Sequence, residues 1–172
     1  MRNFGRNVFG ITGWKNSGKT TLLEAVVRDL TGRGLTVSTV KHAHHAFDSD
    51  VPGKDSYRHR EAGAQEVIVS SPQRWALMHE LRGAPVAGLA ELLALLAPSD
   101  LVLVEGFKRD PHPKIEVLRA LGPNGRSADT DDTIRAIAAP DKVLAGRHAW
   151  LVLDDIPGIA NFICTQCGLP GH

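Results

Sequence analysis

The sequence is poor in cysteine, in charge of one sign and in long apolar runs. Its 172 residues contain only two cysteines, Cys164 and Cys167, too few to staple a small secreted scaffold. Lys and Arg number 20 against 19 Asp and Glu, a formal net charge of +1, so no global field draws the chain to nucleic acid or an anionic membrane. The most apolar stretch, residues 89–104, is broken by Glu91, Pro98, Ser99 and Asp100 and cannot span a bilayer. Arg2 and Arg6 precede only residues 8–11 before polar residues resume, which is shorter than a secretory h-region. What is present is ordinary for a globular protein: 42% hydrophobic and 23% charged residues, in a length that suits one domain over residues 1–172. A cytoplasmic protein is expected, with neither nucleic acid nor membrane as partner.

Hydrophobic spacing orders the chain into alternating strands and helices. Residues 8–12 form a short apolar run that ends in a glycine-rich turn, and residues 20–30 carry Leu22, Leu23, Val26, Val27 and Leu30 at helical spacing. Residues 35–40 are rich in β-branched side chains and predict a second strand. A polar loop follows over 42–55, then a short helix capped by Ser56 and stopped by Gly63. Residues 67–69 and 75–78, joined by Ser70-Ser71-Pro72-Gln73, predict a hairpin, and residues 86–97 a strongly apolar helix closed by Pro98. Residues 101–104 are apolar without alternation, as in a central strand covered on both faces. Strands over 114–118, 134–138 and 150–153 and a terminal helix near 159–164 complete the pattern. The expected fold is α/β: a P-loop NTPase with a mostly parallel central sheet, helices on both faces and a β-hairpin insertion.

The sharpest motif is Gly13-Trp14-Lys15-Asn16-Ser17-Gly18-Lys19-Thr20, which satisfies G-x-x-x-x-G-K-[ST] at every fixed position. A strand delivers the chain to this loop, and a helix that begins near Gly18 aims its free N–H groups at bound phosphates. Lys19 then reaches the β- and γ-phosphates as the catalytic cation, and the Thr20 hydroxyl serves Mg²⁺. Asn16 and Thr21 belong to the same cradle. Glu105 ends the apolar strand 101–104, where a second acid faces the metal opposite the loop; it stands in place of the commoner Asp.

Other residues admit more than one chemistry. Lys41, His42, His44 and His45 follow the second strand, with Asp48, Asp50, Lys54 and Asp55 close behind. Three histidines in four residues resemble a transition-metal site, yet the set equally suits an anion pocket, and Asp48 or Asp55 is a candidate to position Mg²⁺ or an attacking water. A solvated polar loop is the third option. Asp141, in Ala139-Pro140-Asp141-Lys142 after a late strand, is either a carboxylate that reads guanine or a turn Asp after Pro140. Cys164-x-x-Cys167 with His172 lacks the partner pair that a zinc site needs.

Several stretches together resemble one family. They are Trp14-Lys15-Asn16-Ser17-Gly18-Lys19-Thr20-Thr21-Leu22, Lys41-His42-Ala43-His44-His45, Asp50-Val51-Pro52-Gly53-Lys54-Asp55-Ser56, Ala62-Gly63-Ala64, Gln73-Arg74-Trp75-Ala76-Leu77-Met78 and Leu103-Val104-Glu105-Gly106-Phe107-Lys108. The set is similar to the molybdopterin-guanine dinucleotide biosynthesis protein B family (MobB) over most of residues 8–163. The resemblance implies a homodimeric GTP-binding adapter and weak GTPase. Its partner is a molybdopterin guanylyltransferase that joins GMP to molybdopterin to make the guanine dinucleotide form of the molybdenum cofactor. On the same analogy Gly13, Ser17, Gly18, Lys19, Thr20 and Thr21 hold the GTP phosphates, and Thr20 and Glu105 serve Mg²⁺. Lys41, His42, His44, His45, Lys54 and Asp55 then line the pocket or face the cofactor.

Two further classes fit the same motif. A small-molecule or nucleotide kinase shares the loop and the size, although Arg58 and Arg60 are a thin substitute for an Arg-rich lid. A GTP-dependent metallochaperone would load metal through His42, His44 and His45.

Overall fold

A computed structural model of the chain describes residues 6–43, 48, 50–123 and 125–171. Backbone contacts divide it into two compact units, Met1–His42 with Leu89–His172, and Ala43–Gly88.

The larger unit is built on six strands: β1 (Val8–Gly13), β2 (Val37–Lys41), β5 (Leu101–Glu105), β6 (Lys114–Val117), β7 (Ile134–Ala139) and β8 (Trp150–Val152). They lie in the order β2-β5-β1-β6-β7-β8, and every neighbouring pair is parallel. All the carboxyl ends therefore share one edge. The order reverses on either side of β1, and that switch point is where an open α/β sheet leaves a crevice.

Alternation along the strands sends side chains to two apolar faces. Phe9, Ile11, Leu101, Leu103, Ile115 and Val117 pack against Leu22, Val26 and Leu30 of α1 (Lys19–Gly32) and against Ile159, Ala160 and Ile163 of α5 (Ile156–Cys167). Each such side chain taken from water contributes roughly 1.5–3 kcal/mol. On the opposite face Val8, Val102 and Val104 meet Leu89 and Leu93 of α3 (Leu89–Leu95). Further along it, Leu118, Ile137 and Ala139 meet Ala145 of α4 (Lys142–Ala145). Helices thus cover both faces, as expected.

Between these two clusters the second face is polar and still buried. Lys114 Nζ donates to the Asp110 carbonyl at 2.7 Å and to Thr133 Oγ1 at 2.6 Å, with the Asp131 carboxylate 3.8 Å away. Burial pulls the Lys114 pKa below the ordinary lysine value, against Asp131 and Asp110. The Glu116 carboxylate accepts the N–H groups of Ser127 and Ala128 at 2.9 and 3.0 Å, which anchors a single 3₁₀ turn at Ser127–Asp129. Charges inside a parallel sheet persist here because each has its hydrogen-bond partners.

The smaller unit holds α2 (Asp55–Glu61) and a hairpin of β3 (Glu66–Ser70) and β4 (Trp75–His79), paired antiparallel with Ser70 opposite Trp75. Arg60 is its hub, bonded to the carboxylates of Asp48, Asp50 and Glu80 at 2.9, 3.2 and 2.7 Å. Ser56 does not cap α2: Lys54 holds the cap position without a side-chain bond, and the Ser56 hydroxyl donates to Asp50 at 2.8 Å.

Two helices differ in length from their predicted spans. The helix expected over 86–97 covers only Leu89–Leu95, since Gly88 precedes it and only Leu89 and Leu93 are buried on it. The terminal helix is longer, Ile156–Cys167, because Asp155 caps it by accepting the Gly158 N–H at 3.0 Å. Among the described residues no helix is long and apolar enough to cross a membrane.

Candidate nucleotide-binding site

β1 ends at the centre of the sheet's carboxyl edge, and the chain turns there through residues 13–18 into α1. Gly13 has φ +146°, and a Cβ on it would fall 2.6 Å from the Val117 carbonyl oxygen and 2.8 Å from Ser17 Oγ. Gly18 takes φ +92° at the cap of α1. Both conformations favour glycine, and at Gly13 the neighbouring backbone leaves no space for a side chain. Asn16 between them has φ +63°, the left-handed region that Asn tolerates.

The start of α1 is open to an anion. No side chain caps it, and its first turn carries no acid, so the unpaired N–H groups and the positive end of the helix dipole are unopposed. Ser17 Oγ is buried with no protein hydrogen-bond partner, an orphaned polar atom that a phosphate oxygen would satisfy. Lys19 Nζ donates to the Trp14 carbonyl inside the loop at 2.6 Å. Burial depresses the Lys19 pKa; Glu105 opposes the shift, and the ammonium groups of Lys108 and Lys41 add to it.

Glu105 is buried at the end of β5 and faces this loop. Its carboxylate oxygens accept from the Thr20 hydroxyl at 3.1 and 3.2 Å, and Lys41 Nζ lies 3.5 Å from it. A hydroxyl beside a carboxylate is an all-oxygen donor pair, which suits Mg²⁺. His42 continues β2: its N–H donates to the Glu105 carbonyl at 2.9 Å, and its ring lies 5.0 Å from that of Phe107. Gly13, Asn16, Ser17, Gly18, Lys19, Thr20, Thr21, Lys41, His42 and Glu105 therefore gather at one edge of the sheet.

The remaining candidates are not part of this set. Asp48, Lys54 and Asp55 belong to the smaller unit. There the Arg60 hydrogen bond holds the Asp48 carboxyl below the usual range, while Lys54 and Asp55 begin α2 on exposed backbone. Asp141 stands at the carboxyl edge after β7 and caps α4, its Oδ1 accepting the Val143 N–H at 2.8 Å. His44, His45 and His172 lie outside the described residues, among which no group of three or more His, Cys, Asp or Glu is placed to hold a metal. Cys164 and Cys167 are free thiols; burial pushes the Cys167 thiol up to about 11.

Lys108 follows the strand 101–104 closely enough for the sequence to offer it, with Arg109, as a cation for an anionic ligand at this edge; its Nζ stands 4.8 Å over the ring of the exposed Trp14. Arg119 was not foreseen: its Nε donates to the Ser17 carbonyl at 3.2 Å. Its one available signal was that it follows the carboxyl end of a predicted strand; which strands flank β1 was not readable.

The comparisons with known proteins agree with this fold. The family model described as molybdopterin guanine dinucleotide synthesis protein B matches residues 8–140. The chain is 40% identical over 157 residues to the molybdopterin-guanine dinucleotide biosynthesis adapter protein of Haemophilus influenzae, covering 91% of this chain and 86% of that one. It is 39% identical over 159 residues to the protein of the same description from Escherichia coli, covering 91% and 90%. Among solved structures, a MobB homologue from Bacillus stearothermophilus superposes with a TM-score of 0.69 at 30% identity, covering 92% of this chain and 99% of that one.

Proposed function

Because the chain belongs to the molybdopterin guanine dinucleotide synthesis protein B family, we propose that it is an adapter in molybdopterin-guanine dinucleotide biosynthesis that works by binding GTP with Mg²⁺. It assists a guanylyltransferase that joins GMP to molybdopterin, and hydrolyses GTP slowly. The observation that carries the nucleotide part is the cradle itself: two glycines at positive φ, an uncapped helix start, the orphaned Ser17 hydroxyl and Lys19 at its mouth. The loop N–H groups and Ser17 bind the phosphates, and Lys19 leaves the Trp14 carbonyl to neutralise them. Thr20 and Glu105 would hold Mg²⁺, which when bound neutralises charge on the β- and γ-phosphates. Lys41 and Lys108, with the His42 ring beside them, present the surface toward molybdopterin or the molybdenum cofactor.

Calorimetric titration with GTP and ATP in Mg²⁺ tests this reading. A clear GTP preference is expected; a preference for ATP would overturn it and put a small-molecule kinase in its place. Asp141→Asn tests the base reader in the same assay: if Asp141 reads guanine, the preference narrows by about tenfold or more, as expected for a lost charge-assisted pair. An unchanged ratio leaves Asp141 as the cap of α4 alone.

We also propose that the protein is a homodimer through its hairpin. Ile68, Trp75 and Leu77 line one face of β3–β4, and Ile68 and Trp75 are each 66% exposed. An exposed apolar face on a two-stranded sheet calls for a cover, and a second copy supplies an identical one. Trp75→Lys is expected to shift the sedimentation profile from dimer to monomer without loss of the fold; a parent chain that sediments as a monomer at micromolar concentration rules the dimer out.

A further inference from the structure

The Ser17–Gly18 peptide links the phosphate loop to α1, and a side chain from the neighbouring strand holds its orientation. Arg119 stands two residues beyond β6, the strand paired to β1 on the side away from Glu105. Its Nε donates to the Ser17 carbonyl at 3.2 Å, and its guanidinium fills the space where any other residue at position 18 would carry a side chain. A Cβ there would lie 3.0 Å from Nε and 3.2 Å from Nη2. Arg119 is thus packed on Gly18, whose own φ of +92° already favours glycine.

The consequence follows from peptide geometry. In a planar trans peptide the carbonyl and the following N–H point in opposite directions. With the Ser17 carbonyl turned to Arg119, the Gly18 N–H is turned away from it, and among the described residues no protein acceptor takes that N–H. Donation from a guanidinium also polarises the peptide, so that its N–H becomes a stronger donor.

Resting on the proposal that the loop binds phosphates, we infer that Arg119 is a positioning residue of the nucleotide site: it locks the Ser17–Gly18 peptide with its N–H presented to a phosphate oxygen and strengthens that donor. Lys19 neutralises the ligand directly, whereas Arg119 acts through the backbone. It is the described counterpart, on the β6 side, of Glu105 and Lys41 on the β5 and β2 side.

Arg119 is exposed, so its replacement leaves the core intact. Arg119→Met keeps the stem and removes donor and charge; Arg119→Lys keeps both. Binding of GTP and of inorganic tripolyphosphate is measured by calorimetry, and the Gly18 amide proton is followed by NMR in each titration. Arg119→Met is expected to weaken both ligands about tenfold or more and to shrink the ligand-induced shift of the Gly18 amide, with an unchanged melting temperature. Arg119→Lys is expected to recover most of the affinity and of the shift. Affinity within about twofold of the parent in Arg119→Met, or a loss that Arg119→Lys does not rescue, overturns the inference and leaves the nucleotide reading standing. A parent chain that binds neither GTP nor tripolyphosphate overturns both.

Discussion

Lys19→Ala is expected to abolish GTP binding, by at least about a hundredfold, while the ligand-free chain melts within about 2 °C of the parent. The two halves have one cause. Without ligand, Lys19 is a partly buried ammonium whose pKa is lowered by burial and by Lys108 and Lys41, and whose bond is to the Trp14 carbonyl of its own loop. Removing it relieves repulsion as it loses that bond, so the fold is nearly indifferent. With a triphosphate present it is the cation at the mouth of the loop, and each charge-assisted bond to phosphate contributes roughly 1.5–3 kcal/mol. Calorimetry on the two chains, with their melting curves, decides the matter. Undiminished GTP binding by a folded Lys19→Ala would show that the loop is not the phosphate site.

The largest effect on stability is expected beneath the loop, at Gly10→Ala. Gly10 sits in the central strand with the ring of His112 pressed onto it. A Cβ there would fall 2.5 Å from His112 Nε2 and 2.9 Å from Lys114 Cβ. Neither neighbour can retreat, because both are buried and Lys114 is tied to Asp110 and Thr133. Overpacking of this kind costs about 2–3 kcal/mol, or roughly 5–10 °C in melting temperature for a chain of this size.

His112 adds a pH dependence at the same spot. Both ring nitrogens are buried without protein partners, and burial lowers its pKa from 6.5 to about 4; Lys114 lowers it too, against Asp131. Between those values the unfolded chain takes up a proton that the folded chain refuses. Stability from this group is therefore intact above pH 6.5 and falls as the pH drops toward 4, by up to about 3 kcal/mol. His112→Leu is expected to flatten that slope in urea unfolding at pH 7.5, 5.5 and 4.5. A slope that stays the same would assign the acid sensitivity to other groups.

Residues that state their own role in a short window were legible in the sequence. The Gly13-to-Thr20 loop carries its strand, turn and helix within a few residues, and residues 101–104 announce a buried strand by lacking alternation. Lys114 and Glu116 could not be read in that way. Charges at alternate positions signal a solvated face, and only the fold brings Thr133, Asp131 and the 127–128 amides to them. Arg119 was missed for a related reason: its meaning depends on β6 being the neighbour of β1, which local spacing does not contain. Ser56 lost its expected cap role to the longer-range competitor Asp50.

The sheet order also has a consequence for synthesis. Val8 pairs with Val102 and Gly13 with Val117, so the loop at residues 13–18 is not flanked on both sides until residues 114–117 have left the ribosome. The apolar face of α1 waits longer still, since its partner α5 is the last element. β3 and β4 emerge in between and pair with each other. The nascent chain therefore carries Leu22, Val26 and Leu30 without their α5 cover until residues 156–167 have been made, a window in which chaperone capture competes with self-association.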